Sequence, residues 1–207
     1  SVSLDLRKPR GQDIARQVRL NNHPTVNAYV RSMGQRLVAQ SPAPFNQLPW
    51  EFHVVDDPSI NAFAVPGGHV YVHTGLIANA DNASELAGVL AHEINHVVAR
   101  HSTEQISRQY GLSVLAGIAL GQDPNALAQL AAQIVAGGAL ARFSREAEEE
   151  SDELGIRAMA AAGYNPNGMA TMFEELLEHR QGSPGSVAQF FSTHPLTEDR
   201  LRRARGA

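Results

Sequence analysis

His92-Glu93-Ile94-Asn95-His96 is the stretch on which the fold turns. It lies inside residues 86–108, LAGVLAHEINHVVARHSTEQISR, where Leu86, Leu90, Ile94, Val97 and Val98 recur at helical spacing. Asn82 stands where an N-cap would, with Glu85 in the capping-box position three residues on. A helix is therefore predicted to open there and to run unbroken through the histidines. Two histidines four apart on one helix lie on the same side and can close on a single metal ion through ring nitrogens. Glu93, beside the first of them, is placed to take a proton from an attacking water.

A catalytic zinc needs three protein ligands and an open position, and the chain narrows the source of the third. No cysteine is present, which removes thiolate ligands, disulfides and a cysteine nucleophile together. A third histidine six residues after His96 would fall on Ser102, and the glycine that goes with that pattern would fall on Ala99. His101 misses the register by one. There remains a carboxylate from a later helix, in Ser144-Arg145-Glu146-Ala147-Glu148-Glu149-Glu150-Ser151-Asp152. Spacing alone leaves Glu146, Glu148, Glu149 and Glu150 open. Glu148 and Asp152, four apart, share a face, so that one could ligate while the other orients a ligand histidine. Arg145 and Glu149 form a separate four-residue pair of the kind that stabilises an exposed helix.

Around this core the 207 residues carry a formal charge of -4, with 43% hydrophobic, 18% charged and 6% aromatic positions. That composition excludes wholesale disorder, and the mildly acidic balance argues against a nucleic-acid partner. The opening SVSLDLRKPRGQ has no apolar signal core and reads as a mature, trimmed or cytosolic start. No unbroken run approaches the roughly 18 apolar residues of a membrane-spanning helix.

Residues 11–40 read as two helices split at His23-Pro24, and residues 41–49, with three prolines, as a loop. Residues 50–55, 61–65 and 69–72 read as short strands, the last two joined by Pro66-Gly67-Gly68. Residues 112–141 read as two Ala-rich helices broken between Gly121 and Pro124, favoured as a hairpin packed in the core over a mobile lid or a membrane-touching face. Helices follow at 146–162, ended by Gly163, from Pro166 to about residue 181, and from Pro195 onward. His53, His69, His73 and His101 read as satisfied polar groups, and His23 and His179 as surface residues.

Together these segments resemble the zinc endopeptidases that include HtpX, BepA and the CAAX prenyl protease. Four motifs carry the likeness: Ser59-Ile60-Asn61-Ala62-Phe63-Ala64-Val65-Pro66-Gly67-Gly68 with Thr74-Gly75-Leu76, then HEINHVVARH, then FSREAEEESDELG, then Ser192-Thr193-His194-Pro195 with Arg200 six residues after the histidine. The likeness spans roughly residues 15–205, and Ser151 departs from the usual alanine before the aspartate. It implies an α+β, mostly helical, minimal zincin-like metallopeptidase domain over residues 1–207, with a small β-sheet lining the active-site cleft.

It further implies a zinc metalloendopeptidase of the HExxH gluzincin type, hydrolysing unfolded or extended polypeptides in envelope protein quality control. One Zn2+ per chain would be held by His92, His96 and Glu148, with Glu93 as general base and Asp152 partnering a ligand histidine. Asn61, Ala62, Phe63 and Ala64 would form an edge strand that pairs with substrate. His194 would stand near the metal, either supporting the oxyanion or filling the open position in a latent, chaperone-like state. Arg200 would orient His194 or the tetrahedral intermediate. The lack of a spanning helix is similar to the periplasmic or cell-envelope branch, with contact at the membrane periphery left open.

Overall fold

The structure, a computed structural model, describes residues 18–136 and 140–207. Helix α1 (Pro24–Val38) leads through a 3-10 turn at Phe45–Gln47 into strands β1 (Glu51–Val55), β2 (Ala62–Val65) and β3 (His69–His73). Helices α2 (Thr74–Asn79), α3 (Ala83–Val98), α4 (His101–Tyr110), α5 (Leu112–Ala119) and α6 (Pro124–Val135) follow. The chain ends with α7 (Arg145–Ala161), α8 (Asn167–Gly182), α9 (Ala188–Thr193) and α10 (Glu198–Arg205). The α+β, mostly helical class expected from the sequence holds.

The three strands form a mixed sheet in the order β1-β3-β2, parallel between β1 and β3 and antiparallel between β3 and β2. Alternate side chains go to opposite faces of a pleated strand, and here both faces are covered. Phe52, Val54, Ala62, Ala64, Val70 and Val72 join a large cluster with residues of α1, α3 and α8, including Leu37, Leu90 and Met172. Val55, Phe63, Val65 and Tyr71 face the other way, onto Ile106 of α4, Ile118 of α5 and Leu130 and Ile134 of α6. Of the two helices expected in the Ala-rich segment, α6 packs into this cluster through Ala126, Leu130, Ala131, Ala132 and Ile134, whereas α5 buries Ile118 and has exposed leucines at Leu112 and just beyond its end at Leu120.

Helix α3 is buried from Glu85 to Val97, which suits a helix apolar nearly all round. Its start is capped as predicted: the Asn82 side chain accepts from the Glu85 N–H at 3.1 Å, and the Glu85 carboxylate accepts from the Asp81 N–H at 2.7 Å.

Two expectations fail. The helix predicted over residues 86–108 breaks after Ala99, where Arg100 takes a left-handed conformation (φ 66°) and α4 turns back toward α3. A non-glycine residue there costs about 1–2 kcal/mol, and neither glycine nor proline marks the spot. Of the helix predicted before His23, residues 11–17 lie outside the described residues, and the rest is not helical. Leu20 bridges antiparallel to Val55, the Asn21 N–H donates to the Val54 carbonyl and the Asp56 N–H to the Arg19 carbonyl, so residues 19–21 run along the outer edge of β1. No helix among the described residues is long and apolar enough to cross a membrane.

Candidate active site

Helix α3 turns His92, Glu93 and His96 toward α7, and Gly155 sets how near α7 comes. A Cβ at that position would stand 3.3 Å from the backbone of Ala91 and His92, so the two helices meet almost main chain to main chain. Asp152 and Glu148 lie one and two turns earlier on the same face of α7 and reach His92 and His96. The Nε2 atoms of His92 and His96 are 2.9 Å apart. Glu148 Oε1 is 2.9 Å from His96 Nε2, and its Oε2 is 3.4 Å from His92 Nε2. His194, arriving from the end of α9, puts Nδ1 2.9 Å from Glu148 Oε1 and 3.3 Å from His92 Nε2. Of the four acidic candidates, only Glu148 enters the cluster. Glu146 is exposed, Glu149 pairs with Arg145 at 3.0 Å and Arg203 at 3.2 Å, and Glu150 faces His101.

A ring of partners fixes the orientation of these groups. Asp152 Oδ1 lies 2.8 Å from His92 Nδ1; with that nitrogen donating, the Nε2 lone pair is left facing the cluster. Asp152 is in turn gripped by the Arg200 fork, Nε to Oδ2 at 2.6 Å and Nη2 to Oδ1 at 2.9 Å. On the other side, His101 Nε2 donates to Glu150 at 2.8 Å, which leaves its Nδ1 to accept from His96 Nδ1 at 3.0 Å. His96 Nε2 is thereby freed toward the cluster as well. The two buried carboxylates each keep an oxygen without a hydrogen-bond partner, Glu148 Oε2 and Glu93 Oε1. Arg200 Nη1 stands 2.7 Å from that Glu148 oxygen, off the hydrogen-bonding direction. Lone pairs of two imidazoles and a carboxylate converging on one point, with an oxygen left over, fit a divalent cation, and the N2O donor set suits zinc.

The family model for peptidase family M48 matches residues 24–207. The chain belongs to that family. The resemblance to these peptidases carried by the four motifs is borne out. The mitochondrial metalloendopeptidase OMA1 of Schizosaccharomyces pombe is 36% identical over 98% of this chain and 61% of its own length. The beta-barrel assembly-enhancing protease of Escherichia coli is 34% identical over 99% of this chain and 44% of its own. The OMA1 of Saccharomyces cerevisiae is 35% identical over 73% of this chain and 45% of its own. This chain therefore spans roughly half the length of the curated relatives it matches.

The electrostatics of the M48 site are strongly coupled. In the metal-free centre burial opposes a charge on His92, but Glu148 and Asp152 beside it prevail and lift its pKa to about 10, so an entering cation displaces a proton from Nε2 to take its lone pair. Burial together with the charge on His92 pushes His96 well below its ordinary value. Burial also works against Glu148 as an anion, yet His194 and His92 hold its carboxyl well below the usual range. Glu93 goes the other way: burial raises it, against His194, His92 and the main-chain N–H of Ala64. That N–H belongs to β2, an edge strand of the sheet beside α3; Asn61, Ala62, Phe63 and Ala64 are all buried, with Phe63 turned to the far face.

An aromatic cover closes the site. Phe143 stacks on His96 with centroids 3.9 Å apart, and Phe190 stacks on His194 at 4.7 Å. The Phe143 N–H donates to the Thr193 carbonyl at 3.1 Å, tying the two sides of the cover together. The sequence assigns Phe143 no role and reads His101 as a satisfied polar group outside the site. Phe143 carried no signal beyond its place in the third motif, and His101 reaches the site only because the helix breaks at Arg100.

Proposed function

We propose that this chain is the peptidase domain of a zinc-dependent metalloendopeptidase, with His92, His96 and Glu148 holding the metal and Glu93 acting as general base. The observation that carries this reading is the convergence of those three donors, with the Glu93 carboxylate beside them and all four side chains buried. When bound, the metal supplies polarisation of the scissile carbonyl and of the attacking water. Glu93 takes the water's proton and passes it to the leaving amine. His194, whose Nε2 stands 3.1 Å from Glu93 Oε1, is placed to support the developing oxyanion.

Arg200, expected to orient His194 or the tetrahedral intermediate, acts first on the carboxylates. The guanidinium grips Asp152, contacts Glu148 and donates to the Pro195 carbonyl at 2.7 Å, so it positions the carboxylates. Asp152 orients His92. Asn61, Ala62, Phe63 and Ala64, on the edge strand beside Glu93, would pair with an extended substrate through main-chain bonds, giving affinity with little sequence selectivity. The substrates are accordingly unfolded or extended polypeptides. The setting is envelope protein quality control in the bacterial periplasm, in keeping with a relative whose name refers to beta-barrel assembly; a mitochondrial relative makes that organelle the alternative.

Metal analysis of the parent beside Glu148→Ala tests the ligand set: about one zinc at the catalytic centre in the parent, and its loss in the variant. Glu93→Gln should keep that zinc and lose turnover, while His96→Ala should lose both. Retained peptidase activity in Glu93→Gln would sink the mechanism. A second reading has a specific observation behind it. His194 Nδ1 sits within the donor group and the whole centre is covered, as in a latent, chaperone-like protein. Such a protein stays inactive on casein until His194→Ala opens the position.

A further inference from the structure

Glu51 and His53 project from β1 on the face of the sheet turned away from α3, and His69 of β3 stands directly across from Glu51 in the parallel register. Glu51 Oε2 is 3.4 Å from His53 Nε2 and 3.4 Å from His69 Nδ1. The two rings lie nearly parallel, 12° apart, with centroids separated by 6.0 Å. Both nitrogens are buried and neither has a hydrogen-bond partner among the described residues. A buried polar atom is rarely left so.

The separations explain what the hydrogen-bond inventory does not. They exceed the usual reach of an N–H to oxygen bond. Two donors bound to one tetrahedral zinc at about 2.0–2.1 Å stand about 3.3–3.4 Å apart; both carboxylate-to-nitrogen separations match that, and the three ligand atoms all lie within 4.8 Å of one another.

We propose that Glu51, His53 and His69 form a second divalent-metal site, selective by its N2O donor set for Zn2+ or a neighbouring late first-row ion, with the remaining position open to water. The three donors are held by rigid elements. Main-chain pairing fixes β1 against β3, and His53 stacks on Tyr71 at 4.7 Å. Burial keeps both imidazoles below their ordinary pKa, hence neutral and ready to ligate at pH 7. Glu51, with 59% of its side chain exposed, gives an ion its way in. An ion here clips β1 to β3 beside the Pro66-Gly67-Gly68 turn that leads from β2, and so stabilises the sheet in proportion to free zinc.

This site is independent of the catalytic reading, and stoichiometry separates the two. The chain is dialysed against Zn2+ and its bound zinc counted by mass spectrometry. Two zinc ions per chain are expected for the parent and one for His92→Ala/His96→Ala. None should remain once His69→Ala is added to that pair. Should the triple variant fail to fold, His53→Gln/His69→Gln in the parent should drop the count from two to one and reduce the rise in melting temperature that zinc produces. A parent that saturates at one ion, or a second ion that survives loss of His53 and His69, overturns the proposal. Two ions in His92→Ala/His96→Ala would instead count against the catalytic ligand set alone.

Discussion

The centre between α3 and α7 and the trio at the β1–β3 rim use the same two chemistries, imidazole and carboxylate, and differ in what stands behind them. Behind His92 are Asp152 and Arg200; behind His96 are His101 and Glu150. Each ligand's outer nitrogen is spoken for, so its inner lone pair has one direction to face. Behind His53 and His69 there is main-chain pairing and an aromatic stack, and the third donor is a half-free glutamate. The difference teaches that a metal site is specified less by its ligands than by the partners that fix their protonation and aim. Strip those partners from the buried centre and it should behave like the rim.

The heaviest blow to that contrast is Arg200→Ala. Arg200 is buried, and its removal leaves Asp152 and Glu148 as enclosed anions without their cation. Breaking such a pair costs about 3–5 kcal/mol, which chemical denaturation will read. A loss below about 1 kcal/mol would mean that the two carboxylates find other partners. Next comes Gly155→Val, which drives side-chain carbon into the main chain of Ala91 and His92. It should cost about 1–3 kcal/mol and weaken zinc at the buried centre while sparing the rim.

Asp152→Ala should weaken zinc at the buried centre about 10–100-fold, with the rim unchanged in competitive titrations. Equal weakening at both sites would erase the comparison. The smallest effect concerns His73, fully buried on the same sheet face as the trio and held near Ser59 at 2.9 Å. Burial lowers its pKa from the ordinary 6.5, partly offset by Asp57. The unfolded chain therefore binds more protons there than the folded one. The stability this contributes is complete above about pH 6.5 and is lost as pH falls below it. In the presence of a chelator, His73→Gln should lose less stability than the parent between pH 7.5 and pH 5.5. The same slope in both would remove His73 from the account.

Much of the centre could be read in the sequence because its parts are local. His92, Glu93 and His96 share one helix, and Glu148 and Asp152 share another. Which of four glutamates enters was beyond spacing, since it depends on the helix face that Gly155 presses against α3. The run from 86 to 108 shows why one boundary was hidden: no glycine or proline interrupts residues 89–110, and left-handed conformations are announced by glycine or asparagine, not arginine. The parallel pairing of β1 with β3 and the extended path of residues 19–21 are decided by partners distant in sequence, to which local propensity is blind.

The cover over the His92–His96–Glu148 cluster has a kinetic meaning. Phe143 is hydrogen-bonded to Thr193, and the Gln189 side chain donates to the Ile134 carbonyl, so the end of α6, the segment before α7 and α9 are stitched into one unit. Opening the cover requires these bonds to break. A peptide or a zinc-chelating inhibitor then waits on an equilibrium it does not control. If the open form were populated at about one part in a hundred, its apparent affinity would be about a hundredfold weaker than the pocket's own, and at saturation its binding rate would stop rising with concentration. What a partner or an unfolded chain needs to do to switch such an enzyme on is to cut a few stitches, leaving the chemistry untouched.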